Sequence, residues 1–229
     1  SSKFFGELFK KDKSKFEIYL NVYINQISYL LKILGININA VPVLDLYRSN
    51  SHKIIGNRSF SRSPTIASKI GDKIIKKFFN NGIFTIIKHI PGHGLAKSDS
   101  HKLLPIVDKN LGYLSKNDFR AFKKKKSMMA MTAHILFKKI DKINCATHSK
   151  KIIKIIRGSI GFKNIIISDD ISMKALKYSI EKNTVMAFNA GCDLVLHCNG
   201  ELKQMVKVAE NSPLLSNFLF KKTSQMMRK

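Results

Sequence analysis

The 229 residues contain no Trp, only three Cys and five Pro, and 15 acidic side chains against 41 Lys and Arg. Cys145, Cys192 and Cys198 are an odd number without metal-ligand spacing, so they exclude a disulfide framework and predict a reducing compartment, read here as the cytoplasm. No apolar run approaches the roughly 20 residues that span a bilayer. The opening SSKFFGELFKK lacks the basic-then-apolar order of a secretion signal, and residue 1 is not Met, so a processed or truncated product is expected. No GxGxxG opens a helix after a strand and no GxxxxGK(S/T) occurs, which removes the dinucleotide and P-loop readings.

The shortage of acids leaves a formal charge of +26. Such a charge first points to nucleic acid. The excess, however, is Lys dispersed among Ile and Asn, and Arg, whose planar fork reads phosphates and bases, is scarce. The expectation is a lysine-rich solvated surface with no specific nucleic-acid partner and no membrane. A hydrophobic content of 44% is that of a globular protein.

Helical and strand-like patterns alternate along the chain. Three-to-four spacing predicts helices over 13–34 and 65–80, with further helices at 116–126, 149–157 and 172–189. Apolar runs predict strands over 38–44, 82–87, SMMAMTAH, KNIIISDD and DLVLHC. Residues 201–229 read as a C-terminal helix and a frayed basic tail within a single domain of residues 1–229. Strands apolar enough to be covered on both faces and separated by helices are parallel βα units. An open doubly wound sheet and a barrel both satisfy this; polar residues at the ends of successive strands favour the barrel.

Three strand ends carry the chemistry. KHIPGHGLAKSDSH, Lys88 to His101, follows an apolar run with three histidines. Within it, Asp99 two residues before His101 can curve back and hold the imidazole by one nitrogen, freeing the other for proton transfer. Lys88, His89 and His93 form a second group, with Lys88 suited to hydrogen-bonding hydroxyls. Asp169 and Asp170 end a buried strand where packing has no use for two carboxylates. One is a candidate nucleophile, base or metal ligand, and the other a cap for a helix beginning near Ser172. His134 closes its own strand similarly. His89, His93, His101, His134 and Asp169 could supply zinc in a metal-assisted barrel hydrolase, but the His-x-His pair of such barrels is missing and H-x-x-x-H here spans Pro91-Gly92.

KHIPGHG followed by SDSH, then MTAHI, IIISDDISMKAL and AGCDLVLHCN, preceded by INAVPVLDL and IGNRSF, resembles the bacterial β-N-acetylglucosaminidases of glycoside hydrolase family 3 that act in peptidoglycan recycling. The resemblance implies a TIM-like (β/α)₈ barrel and retaining hydrolysis of terminal β-linked N-acetylglucosamine, without metal or cofactor. The implied substrate is a small carbohydrate, the disaccharide of N-acetylglucosamine and anhydro-N-acetylmuramic acid, with or without peptide. It also implies Asp169 as nucleophile, His101 as general acid/base supported by Asp99, and Arg58, Lys88 and His89 as ligands of the sugar. The family has further strands before INAVPVLDL, including one ending in an acidic, glycine-rich stretch, and residues 1–34 hold no counterpart. The barrel is therefore expected to be incomplete at its N-terminal side. Such a chain would be completed by a separate polypeptide, or be a catalytically inactive remnant of a split or decaying gene.

Overall fold

The computed structural model describes residues 1–49, 55–100 and 102–227. The chain opens with two helices, α1 (Ser2–Lys11) and α2 (Lys13–Ile33), followed by strand β1 (Ile38–Asn39), helix α3 (Pro64–Asn80) and strand β2 (Phe84–Ile90). Next come β3 (Ile106–Val107), α4 (Leu111–Lys116), β4 (Met129–Thr132), β5 (Leu136–Phe137), α5 (Lys150–Ile155) and β6 (Ile165–Asp170). The last elements are α6 (Ile180–Ala190), β7 (Leu194–Leu196), α7 (Leu202–Glu210) and α8 (Asn217–Met227).

Helix starts follow capping chemistry. Ser1, Asp12, Ser63 and Ser179 each accept a first-turn backbone N–H of α1, α2, α3 and α6, and Pro64 occupies a first-turn position that needs no N–H. Gly191, at φ 110°, ends α6 in the left-handed conformation.

Five strands form one parallel sheet in the order β1-β2-β4-β6-β7, and β3 and β5 pair separately as a small parallel ribbon. Spatial order repeats sequence order, with no reversal of the kind that defines a doubly wound sheet. This is the wall of a barrel, five strands of a (β/α)₈ design, curled and open: a half-barrel. The expected incomplete barrel is what the chain forms.

Strand periodicity divides the core. Ile87, Ala130 and Ile166 face the helices and pack with Ile75, Ile152 and Ile156. The alternate residues Phe84, Ile86, Met129, Met131, Ile165 and Ile167 form the inner face, where Leu219 and Met226 of α8 cover them. A third cluster joins Phe5, Phe16, Leu20 and Ile24 of α1 and α2 to Ile70, Ile74 and Phe78 of α3. Gly6 lets α1 lie directly on the backbone of Phe60; a β-carbon there would sit 1.6 Å from the Phe60 carbonyl oxygen.

Five local expectations change. The strand expected over 38–44 pairs only at Ile38–Asn39, with an isolated bridge from Val43 to Lys88, because Pro42 has no N–H for the ladder. β2 continues to Ile90, so Lys88 and His89 stand on a strand and not in a loop. The helix expected over 116–126 is replaced by α4 and a 3₁₀ turn, Asp118–Phe122. The helix expected from Ser172 starts at Ile180, and the tail expected to fray contains α8.

Candidate active site

The site is assembled at the carboxyl ends of β2, β4 and β6 and on the segment that follows β1. That segment runs beside β2, with the Leu44 N–H donating to the Lys88 carbonyl at 2.8 Å, and delivers Asp45 into the interior. Asp45 is 1% exposed. Its carboxylate accepts the Nδ1–H of His89 at 2.6 Å, the His89 backbone N–H at 3.2 Å and the His93 backbone N–H at 2.6 Å. Burial by itself would raise the Asp45 pKa; the charges and hydrogen bonds of His89 and His93 outweigh it and hold the group below its ordinary value.

Asp169 lies next in space. The Asp170 N–H donates to its Oδ1 at 2.8 Å. Burial pushes its pKa up, but His89, His134, that N–H and Lys88 together bring it below the ordinary carboxylate value, so Asp169 is ionised at neutral pH. Lys88 shares the same field: burial and the Arg58 guanidinium lower its pKa, while Asp169 and Asp45 oppose them. Arg58 projects from the 3₁₀ turn Gly56–Arg58 and is exposed.

His134 is fully buried, between the Thr147 hydroxyl (2.7 Å from Nδ1) and the Asp170 carbonyl (3.0 Å from Nε2). A carbonyl only accepts, so Nε2 carries the proton and Nδ1 accepts from Thr147; burial keeps the ring pKa low and the imidazole neutral. Asp170 accepts the N–H and hydroxyl of Ser172 at 3.0 and 2.8 Å and the Cys198 N–H at 3.1 Å. It therefore ties the end of β6 to the segment after β7, where a helix cap was expected.

His93 is 3% exposed, packs edge-on against His89 with ring centroids 5.5 Å apart, and places Nε2 3.2 Å from the Ser100 hydroxyl. Burial, with the neighbouring His89, drives its pKa down to about 4. Asp99 shapes the following turn through its carbonyl, which accepts the N–H groups of Lys102 and Leu103 at 3.0 and 2.9 Å. His101 lies outside the described residues.

Asp169, Lys88, His89, Arg58 and His134 thus share one site. Asp45, which organises it, directly follows the strand expected over 38–44, and a carboxylate closing an apolar run is the same signal that singles out Asp169. Among the described residues no group of three or more His, Cys, Asp or Glu is placed to hold a metal ion. His134 has both ring nitrogens engaged, Nδ1 by the Thr147 hydroxyl and Nε2 by the Asp170 carbonyl, so it offers no free lone pair to a metal, whereas Asp45 holds His89 through Nδ1 alone. Among the described residues, no helix is long and apolar enough to cross a membrane.

Residues 14–227 match the model of the glycosyl hydrolase family 3 N-terminal domain. The chain belongs to that family. It is 32% identical over 200 residues to the β-hexosaminidase of Neisseria meningitidis serogroup C (strain 053442), a match covering 83% of this chain and 55% of that protein. Among solved structures, NagZ from Neisseria gonorrhoeae in complex with N-trifluoroacetyl-D-glucosamine superposes with a TM-score of 0.87 at 29% identity, covering 99% of this chain and 67% of that one. The family 3 β-N-acetylglucosaminidase of Paenibacillus sp. str. FPU-7 gives 0.81 at 25% identity, covering 91% and 42%. The family 3 chain described here spans little more than half the length of the curated relatives it matches.

Proposed function

We propose that this chain carries the catalytic half of a retaining β-N-acetylhexosaminidase acting on terminal N-acetylglucosamine of peptidoglycan fragments in the cytoplasm. The observation that carries the reading is Asp169: a mostly buried carboxylate at a strand end, kept ionised by His89, His134 and Lys88 and oriented by the Asp170 N–H. That is the state a nucleophile needs. In the proposed first step an Asp169 oxygen bonds to the anomeric carbon as the glycosidic bond breaks, and His101 donates its proton to the departing oxygen. In the second, neutral His101 takes a proton from water, which displaces Asp169 and releases the sugar. Asp99 supports His101, and Arg58, Lys88 and His89 hold the sugar. Asp45 fixes His89 through Nδ1, and His89 and Lys88 oppose the charge of Asp169.

The substrate proposed is the disaccharide of N-acetylglucosamine and anhydro-N-acetylmuramic acid, free or carrying peptide. Similarity to the Neisseria gonorrhoeae NagZ complex with N-trifluoroacetyl-D-glucosamine supports the sugar. A second reading, an inactive barrel remnant, is favoured by one observation: among the described residues β1 and β7 end the sheet without further strand partners. An active enzyme would then need the wall continued by another polypeptide segment.

The test is release of chromophore from a 4-nitrophenyl β-N-acetylglucosaminide, together with trapping by a 5-fluoro-N-acetylglucosaminyl fluoride. Turnover that is lost in Asp169→Asn, with a trapped sugar on the tryptic peptide 164–174, is the expected result. Turnover unaffected by that substitution would sink the mechanism. A cooperatively folding chain without turnover or adduct would leave the remnant.

A further inference from the structure

A second carboxylate lies close to Asp45, outside the catalytic assignments. Asp118 begins the 3₁₀ turn after α4, its side chain is 2% exposed, and it pairs with Arg48 at 3.1 Å, Oδ2 to Nη2. Arg48 stands three residues beyond Asp45, so the segment after β1 grips its surroundings twice. Among the described residues neither Asp118 Oδ1 nor Arg48 Nε has a hydrogen-bond partner, although both are buried. A buried pair left partly unsatisfied is poor value as stabilisation, since an apolar replacement commonly serves as well.

Its surroundings explain what else it does. Gly92 and Gly94, which turn the chain out of β2 into the loop bearing Asp99 and Ser100, both press on Asp118. A β-carbon on Gly92, whose φ is +145°, would meet Asp118 Cβ at 2.9 Å. One on Gly94 would meet Asp118 Oδ1 at 2.9 Å and the Leu46 carbonyl oxygen at 2.5 Å. The corner is therefore seated on Asp118 from one side and on the Leu46 backbone from the other. Between the two glycines is His93, whose N–H binds Asp45 and whose ring reaches Ser100. Burial and the nearby Asp45 raise the Asp118 pKa, and the charge and hydrogen bond of Arg48 pull against them, so Arg48 is the side chain that favours the ionised form of this carboxylate.

We propose that the Asp118–Arg48 pair is a positioning device: it seats the Gly92–His93–Gly94 corner and thereby sets where the loop with Asp99 and Ser100 leaves the sheet. For catalysis this rests on the function proposed above; for loop geometry it stands alone, and the test separates the two.

Lys97 and Lys102 lie in the loop and report its seating as trypsin sites. Asp118→Asn and Arg48→Gln are compared with wild type and with Asp141→Asn, which removes a carboxylate accepting Ser149 and the turn at 143–144 instead. Cleavage after Lys97 and Lys102 in the two pair variants is expected to be about tenfold faster than in wild type, and unchanged in Asp141→Asn at a matched urea midpoint. Wild-type rates in Asp118→Asn, or equal acceleration in Asp141→Asn, would overturn the proposal. Should Asp118→Asn fail to fold, Arg48→Lys keeps the charge and loses the fork; intermediate cleavage is expected, and a wild-type rate overturns it. If the wild type hydrolyses aryl β-N-acetylglucosaminides, Asp118→Asn should lose more kcat on a poor phenol leaving group than on 4-nitrophenol, with KM little changed. Absence of wild-type turnover would refute the enzyme reading and leave the cleavage comparison decisive.

Discussion

The Asp45 carboxylate receives the Nδ1–H of His89 at 2.6 Å across 44 residues of sequence, in an interior where Asp45 is all but sealed from water. The same carboxylate accepts two backbone N–H groups, so three donors converge on one anion. Replacing it with Asn removes the charge and turns an acceptor into a partial donor facing donors. Asp45→Asn is expected to lower unfolding free energy by about 3–5 kcal/mol, the range for breaking a buried pair by altering one partner. Urea denaturation at neutral pH checks it; a loss below 1 kcal/mol would contradict the convergence described.

Stability should fall as the solution is acidified well before the carboxylates titrate. His93 and His148 are buried with pKa values pushed by burial from 6.5 to about 4. Between these values the unfolded imidazoles bind protons that the folded ones refuse, so unfolding becomes more favourable as pH drops from about 6.5 to about 4. Below about 4 the depressed Asp45 and Asp141 add to the loss as they are protonated. Each histidine contributes at most about 3 kcal/mol across its window. Urea midpoints at pH 7 and pH 5, in wild type and His148→Gln, test this: the variant should show the shallower dependence.

Gly6→Ala places a methyl group 1.6 Å from the Phe60 carbonyl oxygen, a backbone atom that has nowhere to retreat. Helix α1 must lift from the segment at Phe60. A loss of about 1–3 kcal/mol is expected, the usual cost of overpacking. Ala has better helix propensity than Gly, so a gain in stability would show that α1 is not seated as described.

Leu219, 5% exposed, is one of two α8 side chains resting on the inner face of the sheet. Leu219→Ala should cost about 2–4 kcal/mol through lost burial and the cavity left behind. Phe220→Ala, on the exposed side of the same helix, should be nearly neutral, and thermal melts of the pair make the comparison.

The sequence made the sheet legible because each inner strand is apolar on both faces, so apolar runs between helical patterns marked the wall of a barrel. Asp169 and the Lys88–His89 pair were legible as ionisable groups at strand ends. The role of Asp45 was not, because it depends on His89 and His93 arriving from another strand. The late start of α6 was hidden because residues 172–179 carry no proline, while Asp170 draws Ser172 into a turn and Ser179 supplies the true cap. Helix α8 read as a frayed tail because its pattern is blurred: Leu219 and Met226 are buried, yet Phe218, Phe220 and Met227 face outward.

The sheet's sequential order bears on how the molecule is made. Each strand emerging from the ribosome finds its neighbour already in place, one crossover earlier, so the wall can grow in a single direction with short loop closures. The inner face does not share that advantage. Phe84, Ile86, Met129, Met131, Ile165 and Ile167 wait for α8, more than 45 residues downstream of the last of them. Until then the nascent chain presents a strip of Met, Ile and Phe to whatever surrounds it, and a premature stop before Asn217 would make that exposure permanent.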